Sequence, residues 1–193
     1  LEEYKLPEFK VSVQTPEEDG RKKVFRVGER VEAEVQADYY FGGPVAGAKV
    51  EVIIRQKKHY RYWPQPRSFP WFYEDIDQDP HRYYGRSRGS QIKREVLTTD
   101  DTGKVKFTFD TPQGANTDYE YVIEARVTDQ SRREIVGTGS VKVTRQRYFV
   151  NARPEHNIYR PQDKAVVGFK AKDANGAPFE VSGEVVVTRD YWW

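Results

Sequence analysis

A period of two in hydrophobicity constrains this chain more than any other feature. Phe9, Val11 and Val13 alternate with polar residues, and so do Val31, Ala33, Val35 and Ala37. Successive side chains of an extended strand point to opposite faces, so this spacing turns one row toward a core and the other toward water. The same character, rich in Val, Ile, Phe, Tyr and Thr, returns at 8–15, 24–40, 48–55, 91–97, 105–110, 119–128 and 135–144. Between these runs stand Gly42-Gly43-Pro44, Asp101-Thr102-Gly103 and Pro112-Gln113-Gly114, residues that fix φ or tolerate φ > 0. No window offers a capped amphipathic helix. Strands at this spacing read as an antiparallel β-sandwich, so the expected fold class is all-β.

A second start follows. After alternation at 148–153, Tyr159-Arg160-Pro161-Gln162-Asp163 repeats the aromatic-basic-turn-acid step of Phe25-Arg26-Val27-Gly28-Glu29. Gly176-Ala177-Pro178 before a strand-like run at 183–188 likewise matches Gly43-Pro44 before 48–54. The offset is a domain length, which means a tandem array and not a short-period solenoid. The expected division is one β-sandwich over 1–145 and the N-terminal half of a second over 146–193. Half a sandwich cannot close its own core, so its apolar face is expected to lean on a neighbour or another chain, or to be poorly ordered. Leu1 begins in mid-pattern and Trp193 directly follows the last run, so both ends read as cut and the chain as a fragment of a larger exported protein.

The stretch at about 57–90 breaks the rhythm. It carries Tyr60, Tyr62, Trp63, Phe69, Trp71, Phe72, Tyr73, Tyr83 and Tyr84, spaced by Pro64, Pro66, Pro70 and Pro80. Trp and Tyr give large rigid contact area at low entropic cost, which makes Tyr60, Tyr62, Trp63, Trp71, Phe72 and Tyr73 a candidate binding surface for a protein or for sugar rings. The preferred reading is that these aromatics fold back and seal one face of the sandwich, with the prolines reducing the entropy lost.

Other chemistry is thin. Asp75, Asp77 and Asp79 have the spacing that opens a calcium loop, but Pro80 and His81 stand where the turn glycine and distal glutamate should follow. With Glu74 the same carboxylates lack the cleft that glycoside hydrolysis needs. His59, His81 and His156 are scattered, and the glycines read as isolated turn residues without a phosphate-cradling pattern. No catalytic residue, cofactor site or metal site is assigned. Cysteine is absent, which removes disulfides and thiolate ligands. The 32 Lys and Arg are interleaved with 30 Asp and Glu, giving a net charge of +2 and no field that gathers nucleic acid. The one basic cluster, Arg55 to Arg61 with Lys57, Lys58 and His59, reads as a solvated flank. No run approaches the ~18 apolar residues of a membrane span.

Several segments resemble the alpha-macroglobulin family, bacterial type. They are Glu3-Tyr4-Lys5-Leu6-Pro7-Glu8-Phe9-Lys10-Val11, the exit and turn from Ala37-Asp38-Tyr39-Tyr40-Phe41 to Gly42-Gly43-Pro44-Val45-Ala46-Gly47-Ala48, and the hairpin Thr98-Thr99-Asp100 through Gly103-Lys104-Val105. In the second unit, Tyr159-Arg160-Pro161 and Asp173 to Pro178 carry the likeness. The resemblance implies tandem macroglobulin-like domains of fibronectin/Ig-like type, the third and the beginning of the fourth of an array. It implies a structural segment of a bacterial inhibitor of endopeptidases, exported to the periplasm or cell surface, that traps proteases after bait cleavage in the full-length parent. Its immediate partners would be neighbouring domains of the same chain. The family's Cys-Gly-Glu-Gln thioester has no counterpart here, so the carry-over is architectural and the chain itself is not read as an enzyme. The competing expectation is an adhesin-type β-sandwich binding carbohydrate or protein through the aromatic insertion.

Overall fold

Alternation on this scale has to be resolved by pairing strands into sheets whose apolar rows face each other. The computed structural model describes residues 8–18, 20–61, 63, 71 and 89–191, in two compact units, Leu1–Arg147 and Tyr148–Trp193. The first unit holds β1 (Phe9–Gln14), β2 (Glu17–Glu18), β3 (Arg21–Lys22), β4 (Phe25–Arg26), β5 (Arg30–Tyr39), β6 (Lys49–Lys58), β7 (Ser90–Thr98), β8 (Lys104–Asp110), β9 (Tyr119–Thr128) and β10 (Glu134–Thr144). One sheet runs β1-β5-β8 and the other β4-β10-β9-β6-β7, with β2-β3 a small separate ribbon. The fold is all-β, as the alternation requires.

The 24–40 run is not one strand. It breaks at a turn into β4, which pairs parallel to β10 through Phe25↔Val143, and β5, which pairs antiparallel to β1 and β8 in the other sheet. Gly28, at φ 91°, lets the chain change sheets there, and its N–H donates to the Thr111 hydroxyl at 2.9 Å.

The core is the sum of the inward rows. β5 contributes Val31, Ala33, Val35 and Ala37; β6 contributes Val50, Val52 and Ile54; β9 contributes Tyr121, Ile123, Ala125 and Val127; all are buried. Phe9, Phe25, Val45, Ala48, Phe107, Phe109, Val141 and Val143 complete it. Buried Thr99 links its rim, accepting from the Ala48 N–H at 2.9 Å and donating to the Val45 carbonyl at 2.6 Å.

The two open sides of the sandwich are closed differently. On one, Gly137 and Gly139 of β10 are not turn residues, as the sequence reading had the glycines, but lie mid-strand where β1 crosses. A Cβ on Gly137 would stand 2.7 Å from the Val11 carbonyl oxygen, and one on Gly139 would stand 2.9 Å from the Val13 Cβ. On the other, the inward-facing Lys93 of edge strand β7 reaches the Thr108 carbonyl of β8 at 2.8 Å and pairs with Glu95 at 2.8 Å. A charge at that position also blunts the edge against pairing with another strand.

The outer face of the larger sheet is a charge ladder. Glu124 takes Arg55 at 2.6 Å on one oxygen and Arg126 at 2.6 Å on the other, Lys57 lies 3.1 Å from Glu120, and Arg94 pairs with Glu51. The bonds from Arg55 and Arg126 hold the Glu124 carboxyl below its usual value.

The second unit repeats the local geometry of the first. β11 (Tyr148–Pro154) and β12 (Val167–Asp173) pair antiparallel, as β1 and β5 do. Arg160 N–H donates to Asp163 and Asp163 N–H returns to the Arg160 carbonyl, as Arg26 and Glu29 do, with Gln162 (φ 78°) in the place of Gly28. The bridge Lys172↔Pro178 matches Asp38↔Pro44, and Phe179 N–H to Ala171 carbonyl matches Val45 to Ala37. The run at 183–188, expected as a strand, forms no ladder here, and Val186 and Val187 are exposed. Strand residues without a partner strand have no sink for their backbone groups except water.

Two outcomes follow from this architecture. Gly137→Ala should cost about 1–3 kcal/mol in urea unfolding, because behind the Val11 Cγ1 at 2.6 Å stands the Val11 carbonyl oxygen at 2.7 Å, which is backbone and cannot swing aside. Glu124→Gln should cost on the order of 1 kcal/mol at pH 7. A carboxyl whose folded value is depressed contributes above its unfolded value of about 4.3 and loses that contribution as the pH falls through the folded one. The gap between wild type and Glu124→Gln, measured by urea unfolding at both pH values, should therefore narrow at pH 3.

Candidate binding surface

The aromatic insertion grows from the hairpin of β6 and β7. The two strands keep register from Lys49↔Thr98 to Ile54↔Lys93, slip by one residue at a bulge, and resume at Arg55↔Gln91. The insertion is entered after Lys58 and left at Gly89, where φ is 70° and a Cβ would stand 2.6 Å from the Gln56 carbonyl oxygen. Only glycine closes this root without displacing backbone.

Asp118 organises the root. Its carbonyl accepts the His59 N–H at 2.8 Å, and its buried carboxylate accepts the Arg145 backbone N–H at 3.0 Å and the Arg145 Nε at 3.3 Å. One residue thus ties the start of the insertion to the end of β10. Burial, with Lys142 nearby, pushes the His59 imidazole below its usual value, so it is neutral at pH 7.

Of the six aromatics singled out in the sequence, three fall among the described residues. Tyr60 is 73% exposed and Trp71 66% exposed, while Trp63 is half-buried with the Arg61 guanidinium 5.8 Å from its ring. Tyr62, Phe72 and Tyr73 lie outside the described residues, as do Glu74, Asp75, Asp77, Asp79 and His81. At Tyr60 and Trp71 the rings are open to water, which differs from aromatics sealed against a sandwich face.

The basic cluster has structural company. Arg55 and Lys57 are committed to Glu124 and Glu120. His156 sits in the other unit, its N–H donating to the Tyr159 hydroxyl at 3.0 Å. Among the described residues no group of three or more His, Asp and Glu gathers as metal ligands, and no helix is long and apolar enough to cross a membrane. A shallow depression lined by Glu34, Thr98, Asp100, Lys104, Val105 and Lys106 is polar and open. What these surfaces can do is bind by contact area and stacking.

One feature escaped the sequence reading of sites: the turn leaving β5, where Tyr40 and Phe41 are exposed. Two aromatics directly before Gly-Gly-Pro are a signal that could have found it, since a tight turn carries large side chains away from the core.

Residues 3–118 match the family of the macroglobulin domain MG3. The chain is 28% identical over 178 residues to an alpha-2-macroglobulin of Thermotoga maritima, a match covering 92% of this chain and 9% of that protein. Among solved structures, trypsin-activated alpha-2-macroglobulin from Escherichia coli superposes with a TM-score of 0.55 at 12% identity, over 88% of this chain and 12% of that one. Salmonella alpha-2-macroglobulin reacted with methylamine gives 0.56 at 14% identity, over 91% and 12%. At these identities the two structures speak for the fold, and the chain spans about a tenth of the relative's length.

Replacing Asp118 by Ala strips the Arg145 amide of its acceptor. Hydrogen exchange at Arg145 should rise about tenfold, equivalent to about 1.4 kcal/mol, while the His59 amide, bonded to the Asp118 backbone, should change less.

Proposed function

The chain belongs to the family of the macroglobulin domain MG3, and on that premise we propose that it is a structural segment of a bacterial alpha-2-macroglobulin, an exported, periplasmic or cell-surface protease trap. The carrying observation is the MG3 match across most of the first unit, followed by a second unit that rebuilds the same turns at one constant offset and again pairs its first two long strands antiparallel. In this reading 1–145 is one macroglobulin-like domain and 146–193 opens the next. The parent would inhibit endopeptidases by enclosing them after bait cleavage, and this segment would contribute walls and not chemistry, acting as no enzyme itself. It would hold no cofactor.

The test uses the intact parent. Mixed with a broad-specificity endopeptidase, it should suppress digestion of a large protein substrate while sparing hydrolysis of a small peptide substrate. Equal loss of both activities, or of neither, sinks the trap reading.

A second reading rests on the open rings of Tyr60 and Trp71. There the insertion binds glycan or protein in the manner of an adhesin module. Retention of the chain on immobilised glycans, abolished by joint substitution of Trp63, Trp71 and Tyr73 by Ala, would favour it.

A further inference from the structure

Tyr40 and Phe41 are 63% and 79% exposed, side by side at the end of β5. Large apolar side chains left in water at adjacent positions mark a contact when the backbone beneath them is fixed. Here it is fixed on every side. Tyr39 N–H donates to the Gly43 carbonyl at 3.0 Å, Gly42 N–H returns to the Tyr39 carbonyl at 3.1 Å, and Gly42 and Gly43 hold φ of 99° and 92°. The Phe41 ring stacks on Tyr39 at 5.0 Å, and Tyr39 packs edge-on against fully buried Phe9 at 6.0 Å. The tip is therefore a rigid aromatic knob, the kind of group that loses little entropy on being covered.

The turn itself does not demand these residues. Its counterpart in the second unit makes the same backbone bonds with Asp173, Ala174 and Asn175 where the first has Tyr39, Tyr40 and Phe41. The second unit's turn gains a bond from the Ala177 N–H to the Asp173 side chain at 2.8 Å, and the first unit's gains the Tyr39 stack; neither explains a Tyr40 ring left in water or the open side of Phe41.

The position of the knob says what covers it. Tyr40 N–H donates to the Glu8 carbonyl at 2.9 Å, so the knob stands beside the point where the chain enters the domain. Glu8 also pairs with Arg133, which fixes that entry point on the body of the sandwich. The chain matches only 9% of its Thermotoga relative and 12% of the Escherichia coli structure, so most of such a parent lies outside it.

We propose that the Tyr40–Phe41 knob is the docking anchor for the domain immediately N-terminal to this one in the parent chain, inserting into an apolar depression of that domain. The proposal rests on the reading of the chain as a segment of a longer macroglobulin.

The test exploits the absence of cysteine from this chain. Phe41→Cys would be introduced into the 193-residue chain and into the intact parent, and its alkylation by iodoacetamide followed by peptide mass spectrometry. Lys106→Cys, on a side chain 84% exposed, serves as the control. Alkylation at position 41 should be at least tenfold slower in the parent than in the chain, with the control unchanged. Equal rates at position 41 overturn the proposal, and so does slow alkylation in the chain alone that depends on its concentration, which would assign the knob to self-association. Benzoyl-phenylalanine in place of Phe41 in the parent then names the occupant. A photo-crosslink to the preceding domain supports the assignment, and one to any other part of the parent overturns it. Radical footprinting of native Tyr40 and Phe41 gives the same comparison without substitution, should the Cys variant fail to fold. Protease inhibition by the wild-type parent is scored separately, so loss of the trap reading with position 41 still protected is distinguishable from the reverse.

Discussion

The close passage of β1 over β10 holds the first unit together in a way nothing else does. Two sheets about 10 Å apart normally meet through interleaved side chains. At Gly137 and Gly139 β10 instead presents no side chain of its own, and β1 lies directly on its backbone with Val11 and Val13 over the two glycines. That approach fixes the entry strand against the body, and several features depend on where it lies. Phe9 enters the core, Glu8 reaches both Arg133 and the Tyr40 amide, and Tyr39 finds Phe9 to pack on. The opposite side is closed more loosely, with the long reach of Lys93 to Thr108 spanning it. A backbone contact specifies one register, whereas a flexible lysine tolerates several.

Turn chemistry supplies the second layer of specification, and it recurs. Asp100, Asp129 and Asp173 each accept the N–H four residues on with a side-chain oxygen, while each backbone N–H bonds the carbonyl of that same residue. The position before it is left-handed in all three: Gly103 and Gly176 meet this freely, and Arg132 adopts φ 60° at some cost. Asp100 shows the electrostatic consequence, its carboxyl held low by bonds from Thr102 and Lys104. Because such turns set which strands become neighbours, reuse of one turn set in the second unit explains how it rebuilds the β1–β5 pairing with little of the same sequence.

Much of this was legible in the amino-acid order because strand periodicity and turn residues are local signals. The inward rows of β5, β6 and β9 follow from alternation alone, and the match of Phe25–Glu29 with Tyr159–Asp163 foretold a shared turn. What depended on distant contact was not legible. Gly137 and Gly139 resemble any other glycines until β1 is placed over them. The parallel pairing of β4 hides inside a longer alternating run, since period two does not say which sheet a strand joins. The run at 183–188 carries strand residues but no ladder, because pairing needs a partner as well as a propensity. Tyr40 and Phe41 read as part of a turn motif, and only their exposure separated them from core aromatics. Of the insertion aromatics, the sequence located the group but could not tell open rings such as Tyr60 and Trp71 from sealed ones.

The threading of the chain ties these observations to the scaffold reading. β1 and β10 run in the same direction, with Val11 beside Gly137 and Val13 beside Gly139. The chain therefore enters at one end of the sandwich, by Glu8, Arg133 and the aromatic knob, and ends β10 at the other, where Asp118 grips Arg145 and the root of the insertion. The 11 residues of β10 separate these ends by roughly 35 Å. In the proposed scaffold role, a domain so threaded would act as a spacer of fixed length with a distinct feature at each end: a short knob where the chain arrives and the root of the aromatic insertion where it leaves. Among the described residues of the first unit, the exposed aromatics Tyr40, Phe41, Tyr60 and Trp71 belong to these two features, which in the proposed array is where a domain would meet its neighbours.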